Sequence, residues 1–339
     1  MNILRDPDID PAPLRSHRIA IIGFGSQGRA QALNLRDGGY DVRVGLRPGR
    51  PSWAAATAAG LRVQPVAEAV RTSSVVMLLV PDETQPAVFA ADVAPHLGPE
   101  SYLGFAHGFA VHYRRIVPPA GLGVFLVSPH GIGPQVRAQF VAGSGVPCLV
   151  AVQQDATGQT RRLALAYAAA IGGGRAGVFE TTFREETETD LFAEQAVLCG
   201  GLPELLATAY ETLTDAGYPP EMAYFACVHE VKFIVDLLHT EGLMGMRART
   251  STMAQYGGLT RGPRVVGAAV RAALRAVLDD IRGGVFADEW AAEHARGAPR
   301  LAELVRAQSQ RGIEDVGRKL RALLAAGGGP RGPESAAPR

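Results

Sequence analysis

The chain reads as a parallel α/β domain followed by an all-helical domain, and three observations carry that reading. From Arg18 to about Val152, short apolar runs (IAIIG, VVMLLV, GVFLVSP) alternate with amphipathic, Ala-rich stretches. That is the pattern of a parallel sheet covered by helices on both faces. After about Thr157 the apolar period becomes 3.6, the period of helices that each cover a core with one face. The length, 339 residues, accommodates two domains with a core each.

Residues 1–17 are expected to form an irregular arm, because their aspartates and prolines disfavour a helix. The α/β domain is assigned 18–181 and the helical domain 182–325. LALAYAAAIGG and the segments 186–215, 221–240, 264–283 and 312–324 are the expected helices. The remainder, 326–339, is rich in Gly and Pro, has little to bury, and is expected to be disordered.

Composition excludes several classes of protein. The formal net charge is +1 and 47% of residues are hydrophobic, with no bias toward nucleic acid or membrane. No apolar run is long enough to span a bilayer. The N-terminal MNILRDPDIDPAP lacks the apolar core of a signal peptide, so a cytoplasmic location is expected. Cys148, Cys199 and Cys227 are too scattered for a disulfide framework or zinc cluster, and each sits among apolar residues as an inert buried thiol would.

TTFREETETDLFAEQAVLCGG, residues 181–201, concentrates acids at helical spacing. Glu186, Asp190 and Glu194 fall at i, i+4 and i+8, on one helix face. Such neighbours repel by a few tenths, roughly 0.2–0.5 kcal/mol per pair, unless a cation offsets them. Oxygen ligands one turn apart suit a hard divalent ion, Mg2+ above all. A solvated acidic face is the alternative. The small apolar run AEQAVLCGGL that follows carries the helix toward a core, where acids need partners.

RIAIIGFGSQGRAQALNL contains Gly23-x-Gly25-x-x-Gly28 between an apolar strand and an Ala-rich helix. In that setting the first glycine permits a tight turn, the second admits a pyrophosphate close to backbone, and the third lets helix and strand pack. The cofactor set therefore begins with Gly23, Phe24, Gly25, Ser26, Gln27 and Gly28, the pyrophosphate lying at the helix N-terminus. The second strand, YDVRVGL, is followed by no acid that would hold the ribose 2′-hydroxyl of NADH. Arg47, Arg50 and Ser52 instead offer two cations and a hydroxyl to a 2′-phosphate, so NADPH is expected. Asp82, Glu83, Thr84 and Gln85 follow the strand VVMLL and join the cofactor set. His107 follows YLGF, in reach of nicotinamide or substrate, or else it caps a strand end.

Taken together, these blocks resemble the short, class I form of ketol-acid reductoisomerase. GFGSQGRAQALNLRDGG, LVPDETQP, FAHGF, AGVFETTFREETETDLFAEQAVLCGG, AGYPPEMAYFACVHEVK and GPRVV carry the resemblance, which runs from about Arg18 to Leu324. It implies a Rossmann-type N-terminal domain and an all-α C-terminal domain that intertwines in a dimer or higher homo-oligomer with shared active sites. It also implies NADPH, Mg2+ and a small-molecule substrate: a 2-acetohydroxy acid undergoes alkyl migration and hydride reduction to a 2,3-dihydroxy acid in branched-chain amino acid synthesis. Family metal ligands fall on Asp190, Glu194 and Glu230, and a substrate-contacting serine on Ser251. His107 keeps its place in the catalytic set with His130, Glu230 and Ser251, and Gly133 joins the cofactor set.

The departures from the family pattern are local. An acid expected one turn before Glu230 is Ala226, and a lysine expected in the block Ser128-Pro129-His130-Gly131-Ile132-Gly133 is His130. Arg249, Thr252, Gln255 and Gly258 are unusual beside Ser251. Arg249 either contacts a substrate carboxylate or faces solvent. Migration depends on concentrated metal charge, which a missing carboxylate weakens, and His130 carries a pH-dependent charge where lysine's is permanent. Hydride transfer asks only for NADPH, an oriented C=O or C=N and one proton donor or Lewis acid. The reading that follows is an NADPH-dependent, Mg2+-assisted reductase of a 2-keto acid, 3-hydroxy-2-keto acid or cyclic imine. The alternatives are a working ketol-acid reductoisomerase acting on 2-acetolactate, and a non-catalytic NADPH-binding homologue.

Overall fold

The computed structural model describes residues 2–326, and the chain divides into two compact units between Asp190 and Leu191. The tail expected at 326–339 lies outside the described residues, apart from Ala326, which closes the last helix.

The first unit is built on one nine-stranded sheet. Its strands are β1 (Ile3–Leu4), β2 (Ile19–Ile22), β3 (Val42–Leu46), β4 (Arg62–Pro65), β5 (Val75–Leu78), β6 (Tyr102–Phe105), β7 (Gly123–Pro129), β8 (Cys148–Asp155) and β9 (Val178–Glu180). Their order is β1-β9-β8-β7-β6-β5-β2-β3-β4. From β4 to β7 every neighbouring pair is parallel, and Ile19 of β2 faces Val42 of β3 on one side and Val75 of β5 on the other. Strands β2, β3, β5, β6 and β7 are buried along their whole length, which is why they read as continuous apolar runs. Alternate residues feed two cores: Ile19, Ile21, Val75 and Met77 face one way, and Ala20, Ile22, Val76 and Leu78 the other. The chain leaves β2 toward β3 and later returns to β5 on β2's other side. The order therefore reverses at β2, and a crevice opens at the carboxyl ends of β2 and β5.

Two features differ from the expected parallel sheet and irregular arm. Strand β8 runs antiparallel to β7. The chain leaves β7 through the helix Gly133–Val141, then comes back to the sheet end it left, where the His130 N–H donates to the Pro147 carbonyl at 2.8 Å. A strand starting from that end can only run backwards. Residues 1–17 are also structured. β1 pairs antiparallel with β9, the one-turn helix Ala12–Arg15 buries Leu14 completely, and Ile9 is buried too. Apolar burial on the sheet outweighs the weak local propensity of this segment.

The second unit is helical: Gly201–Asp215, Pro220–Tyr224, Val231–Ala248, Thr252–Val265, Ala268–Arg282, Val285–Ala295, Pro299–Ser309 and Gly312–Ala326. Gly242, at φ 72°, interrupts Val231–Ala248 with a kink. Its small core gathers Tyr210, Ala223, Tyr224 and Leu320. Two π-helical turns, Glu194–Leu198 and Phe225–His229, interrupt the regular spacing. Of the cysteines expected to be buried, Cys148 is, and burial pushes its thiol up to about 12, while Cys199 is exposed and Cys227 half-buried. No helix among the described residues is long and apolar enough to cross a membrane.

Candidate active site

The glycine-rich turn sits at the crevice between β2 and β5. Gly23 has φ +106°, and a Cβ there would lie 2.7 Å from the Leu79 carbonyl oxygen. A Cβ on Gly28 would lie 2.4 Å from the Gly23 carbonyl oxygen, so the helix Ser26–Asp37 meets the turn only because residue 28 lacks one. Phe24 is half-buried against the core. Gly25 is the N-cap residue of that helix, no side chain caps it, and its first turn holds no acid. The free N–H groups there suit a pyrophosphate.

Ser26 and Gln27 spend their side chains on the protein. Ser26 Oγ accepts the Gly133 N–H at 3.0 Å, and Gln27 Nε2 donates to the Gly131 carbonyl at 2.9 Å. Gly133 is buried on Ser26, whose carbonyl oxygen would stand 2.0 Å from a Cβ at 133. The glycine-rich turn and the loop bearing exposed His130 are thus fastened together. Arg47 and Arg50 are exposed after β3, with Arg50 at the N-cap position of the helix Pro51–Ala58 and Ser52 half-buried in its first turn. Residues 81–85 form a tight turn after β5, in which Thr84 Oγ1 donates to the Pro81 carbonyl at 2.8 Å. Gln85 is buried and donates to Asp82 Oδ1 at 2.8 Å and to the Val80 carbonyl at 3.2 Å; half-buried Glu83 lies between them in sequence.

The densest chemistry in this unit lies where β6 ends. The helix Phe183–Ala193 comes down onto Gly108, where a Cβ would meet Thr187 Oγ1 at 2.3 Å. Glu186, 1% exposed, accepts the Gly108 N–H on Oε2 at 2.8 Å and His107 Nδ1 on Oε1 at 3.2 Å. Asp190 Oδ2 lies 3.6 Å from the same His107 nitrogen. One donor atom from each of His107, Glu186 and Asp190 falls within 4.8 Å of the others. Burial alone would lower the His107 pKa, but the hydrogen bond and charge of Glu186, with the charges of Asp82 and Asp190, outweigh it and raise it to about 9. Burial raises the Asp190 pKa from its ordinary value, Glu186 adds to that, and the nearby His107 and His130 oppose it.

The acidic row is therefore not uniform: Glu186 is buried, Asp190 half-buried and Glu194 exposed. Glu194 opens a π turn, where the i+4 spacing that grouped the three ends. Glu186 was legible as an acid in the row but not as the partner of His107. The residue that betrays the contact is Gly108, a position without a side chain where a helix has to land.

In the second unit, Glu230 follows the π turn that contains Ala226, and both are exposed. Ser251 is the N-cap of Thr252–Val265, its Oγ accepting the Ala254 N–H at 3.2 Å. Arg249 faces solvent, one of its two expected roles, with its side chain 65% exposed and its Nε paired with Glu241 at 3.0 Å.

Residues 13–177 match the family model described as acetohydroxy acid isomeroreductase, NADPH-binding domain, and residues 183–326 match ketol-acid reductoisomerase, C-terminal domain. An NADH-preferring ketol-acid reductoisomerase from an uncultured archaean is similar in structure, with a TM-score of 0.93 and 42% identity over 96% of this chain and 100% of that one. A semialdehyde dehydrogenase NAD-binding protein from Cupriavidus necator, in complex with calcium and NAD, superposes with a TM-score of 0.61 at 18% identity, covering 78% of this chain and 98% of that one. That second likeness is one of fold alone.

Proposed function

Because the chain belongs to the ketol-acid reductoisomerase family, we propose that this NAD(P)H-dependent oxidoreductase uses NADPH, assisted by Mg2+, to reduce a 2-keto acid, a 3-hydroxy-2-keto acid or a cyclic imine, with alkyl migration weakened or lost. The observation that carries the reading is the His107–Glu186 pair. It gives the first unit an oriented proton donor close to the crevice, while the departures at His130 and Ala226 fall on what migration needs.

The residues divide the work as follows. The turn from Gly23 to Gly28 receives the pyrophosphate, and Gly133 closes against it. Arg47, Arg50 and Ser52 take the 2′-phosphate; the NADH preference of the archaean enzyme belongs to that protein. Asp82, Glu83, Thr84 and Gln85 border the cofactor at the end of β5. His107 commits Nδ1 to Glu186, which leaves Nε2 as the nitrogen with a proton for the reduced oxygen or nitrogen. His130 stands where its charge is felt by Asp190, and Ser251 and Glu230 orient the substrate.

Asp190 fits a hard cation. It is a half-buried carboxylate beside a second, buried carboxylate, and a cation relieves that strain. Asp190 holds the Mg2+, with Glu194 and Glu230 as further oxygen donors. When bound, the nicotinamide supplies the hydride and Mg2+ the polarisation of the substrate oxygen.

The working domains are 18–181 and 182–325, close to the two matched segments. The chain functions as a homodimer or larger homo-oligomer with shared sites. Supporting this, Val231–Ala248 and Thr252–Val265 bury no residue, and Phe233, Leu243, Met244, Met253, Tyr256 and Leu259 stand exposed. The free thiols, one of them exposed, agree with a reducing, cytoplasmic setting.

A second reading, a complete ketol-acid reductoisomerase, is favoured by the 42% identity over nearly the whole chain. One assay separates the two. Purified protein with NADPH and Mg2+ is given 2-acetolactate or 3-hydroxy-3-methyl-2-ketobutyrate, the intermediate after migration. Turnover of the second alone supports the reductase. Comparable turnover of both overturns it in favour of the reductoisomerase. NADPH binding without turnover of either, or of a keto acid or imine, leaves a binding protein.

A further inference from the structure

The helix behind the glycine-rich turn carries a polar stripe that cofactor binding does not account for. Gln27, Gln31 and Asn34 lie on one face, and Gln31 and Asn34 are fully buried. Burying amides is unfavourable by about 1–3 kcal/mol for each group left unpaired, so a stripe of small apolar residues would be the simpler way to pack two helices. Here every amide is used. The Tyr167 hydroxyl, fully buried on the helix Thr160–Ala170, donates to Gln31 Oε1 at 2.8 Å. Gln31 Nε2 donates to Gln27 Oε1 at 3.2 Å, and Gln27 Nε2 donates to the Gly131 carbonyl at 2.9 Å.

The chain of bonds has one direction. A carbonyl can only accept, so Gln27 must present its amide nitrogen to Gly131 and its oxygen to Gln31. Gln31 must then give its nitrogen to Gln27 and its oxygen to Tyr167, which must donate. Burial keeps that phenol protonated by raising its pKa well above the ordinary value. One turn further, Asn34 Nδ2 donates to the Ile171 carbonyl at 3.0 Å and Asn34 Oδ1 accepts from Arg137 at 2.9 Å, which secures the helix that follows the loop. At the far end, Gly131 is next to His130, and Gly133 sits on Ser26.

We propose that Tyr167, Gln31 and Gln27 are positioning residues, a buried strut that fixes the loop bearing His130 against the glycine-rich turn. The inference rests on the reading of His130 given above. Cofactor and His130 are then held in one register by a single helix face, and a shift of the 130–133 loop by even an ångström degrades turnover with the fold intact.

The test uses the full-length protein with Gln31→Met, which interrupts the strut at similar volume, and the milder Tyr167→Phe, which removes only the first donor. Hydrogen exchange of the peptide spanning 129–135 and steady-state reduction of 3-hydroxy-3-methyl-2-ketobutyrate are measured, each in the wild-type and His130→Ala backgrounds. Expected are faster exchange in both variants and a kcat about tenfold lower in Gln31→Met, with KM for NADPH less affected. In the His130→Ala background the same change costs little further, since residues acting through one another are not additive. Unchanged exchange in both variants overturns the strut. An undiminished effect of Gln31→Met without His130 overturns the link to turnover. If His130→Ala alone leaves turnover intact, the reading of His130 fails, and exchange alone still decides whether the strut holds the loop.

Discussion

Glu186 holds His107 by its Nδ1, carboxylate oxygen to ring nitrogen at 3.2 Å, and uses its other oxygen to hold the backbone of Gly108 at 2.8 Å. One side chain, brought in by a helix from much later in the chain, sets both the orientation and the charge of the histidine. Glu186→Gln keeps the shape and one acceptor but removes the charge that favours a doubly protonated ring. Steady-state kinetics are expected to show kcat reduced on the order of 100-fold, with the Kd for NADPH unchanged. Wild-type turnover in this variant would remove Glu186 from the proton-donating arrangement.

The loop after β3 makes the cofactor choice testable by itself. Arg47 and Arg50 are both exposed, and no acid stands near them in sequence to hold a ribose hydroxyl. Replacing both with alanine removes two charge-assisted contacts, each worth roughly 1.5–3 kcal/mol. The ratio of kcat/KM for NADPH over NADH should fall at least about tenfold, mostly through KM for NADPH. An unaltered ratio would mean that these arginines do not read the 2′-phosphate.

Restoring the two missing charges should restore the harder step. Ala226→Glu combined with His130→Lys places a carboxylate one turn before Glu230 and a permanent cation in the 130–133 loop. Turnover of 2-acetolactate is expected to rise relative to that of 3-hydroxy-3-methyl-2-ketobutyrate. If the ratio stays flat, Ala226 and His130 do not limit migration, and the Arg249–Glu241 pair is the next place to substitute.

Asp155 links stability to pH away from the site. Its Oδ1 accepts both the Thr160 hydroxyl at 2.6 Å and the Thr160 N–H at 3.0 Å, at the first residue of the helix Thr160–Ala170. The Thr160 hydroxyl is the largest influence that holds its pKa below the ordinary carboxylate value. A carboxylate depressed on folding stabilises above its unfolded pKa, about 3.9, and loses that contribution as pH falls through the folded value. Asp155→Ala should cost about 1 kcal/mol of stability at pH 7, as a lost helix cap does, and so lower Tm there, and the gap to wild type should narrow below about pH 4. Thermal melts from pH 7 to pH 3 measure it, and a gap independent of pH would show that the charge contributes nothing.

What the sequence made legible was what local order determines. The strand before Gly23, the glycine-rich turn and the helix after it involve neighbours along the chain, and their spacing carries the geometry. What it hid depends on distant partners. Ile3 and Leu4 become a strand only because Val178 and Phe179 lie alongside. β8 reverses because its connection ends where it began. Thr252–Val265 reads as broken, with Gly257, Gly258, Gly262 and Pro263 in it, yet it forms a helix. The acidic row was legible as a row, but a π turn at Glu194 breaks the period on which the grouping relied, and Glu186 belongs to His107 more than to its sequence neighbours. Arg249 found a carboxylate within its own unit.

The helices from Val231 to Val265 show no buried residue at all. On the proposed reading that a second copy covers this face, the unit gains stability by mass action, by RT ln(1 + [L]/Kd) with that copy as the ligand. Its melting temperature should climb with protein concentration, and dilution alone should loosen the helical half while the sheet half stays folded. On that reading a substitution along this face is felt twice, once in each copy, so its effect on the melting temperature should exceed that of a like change on the sheet half.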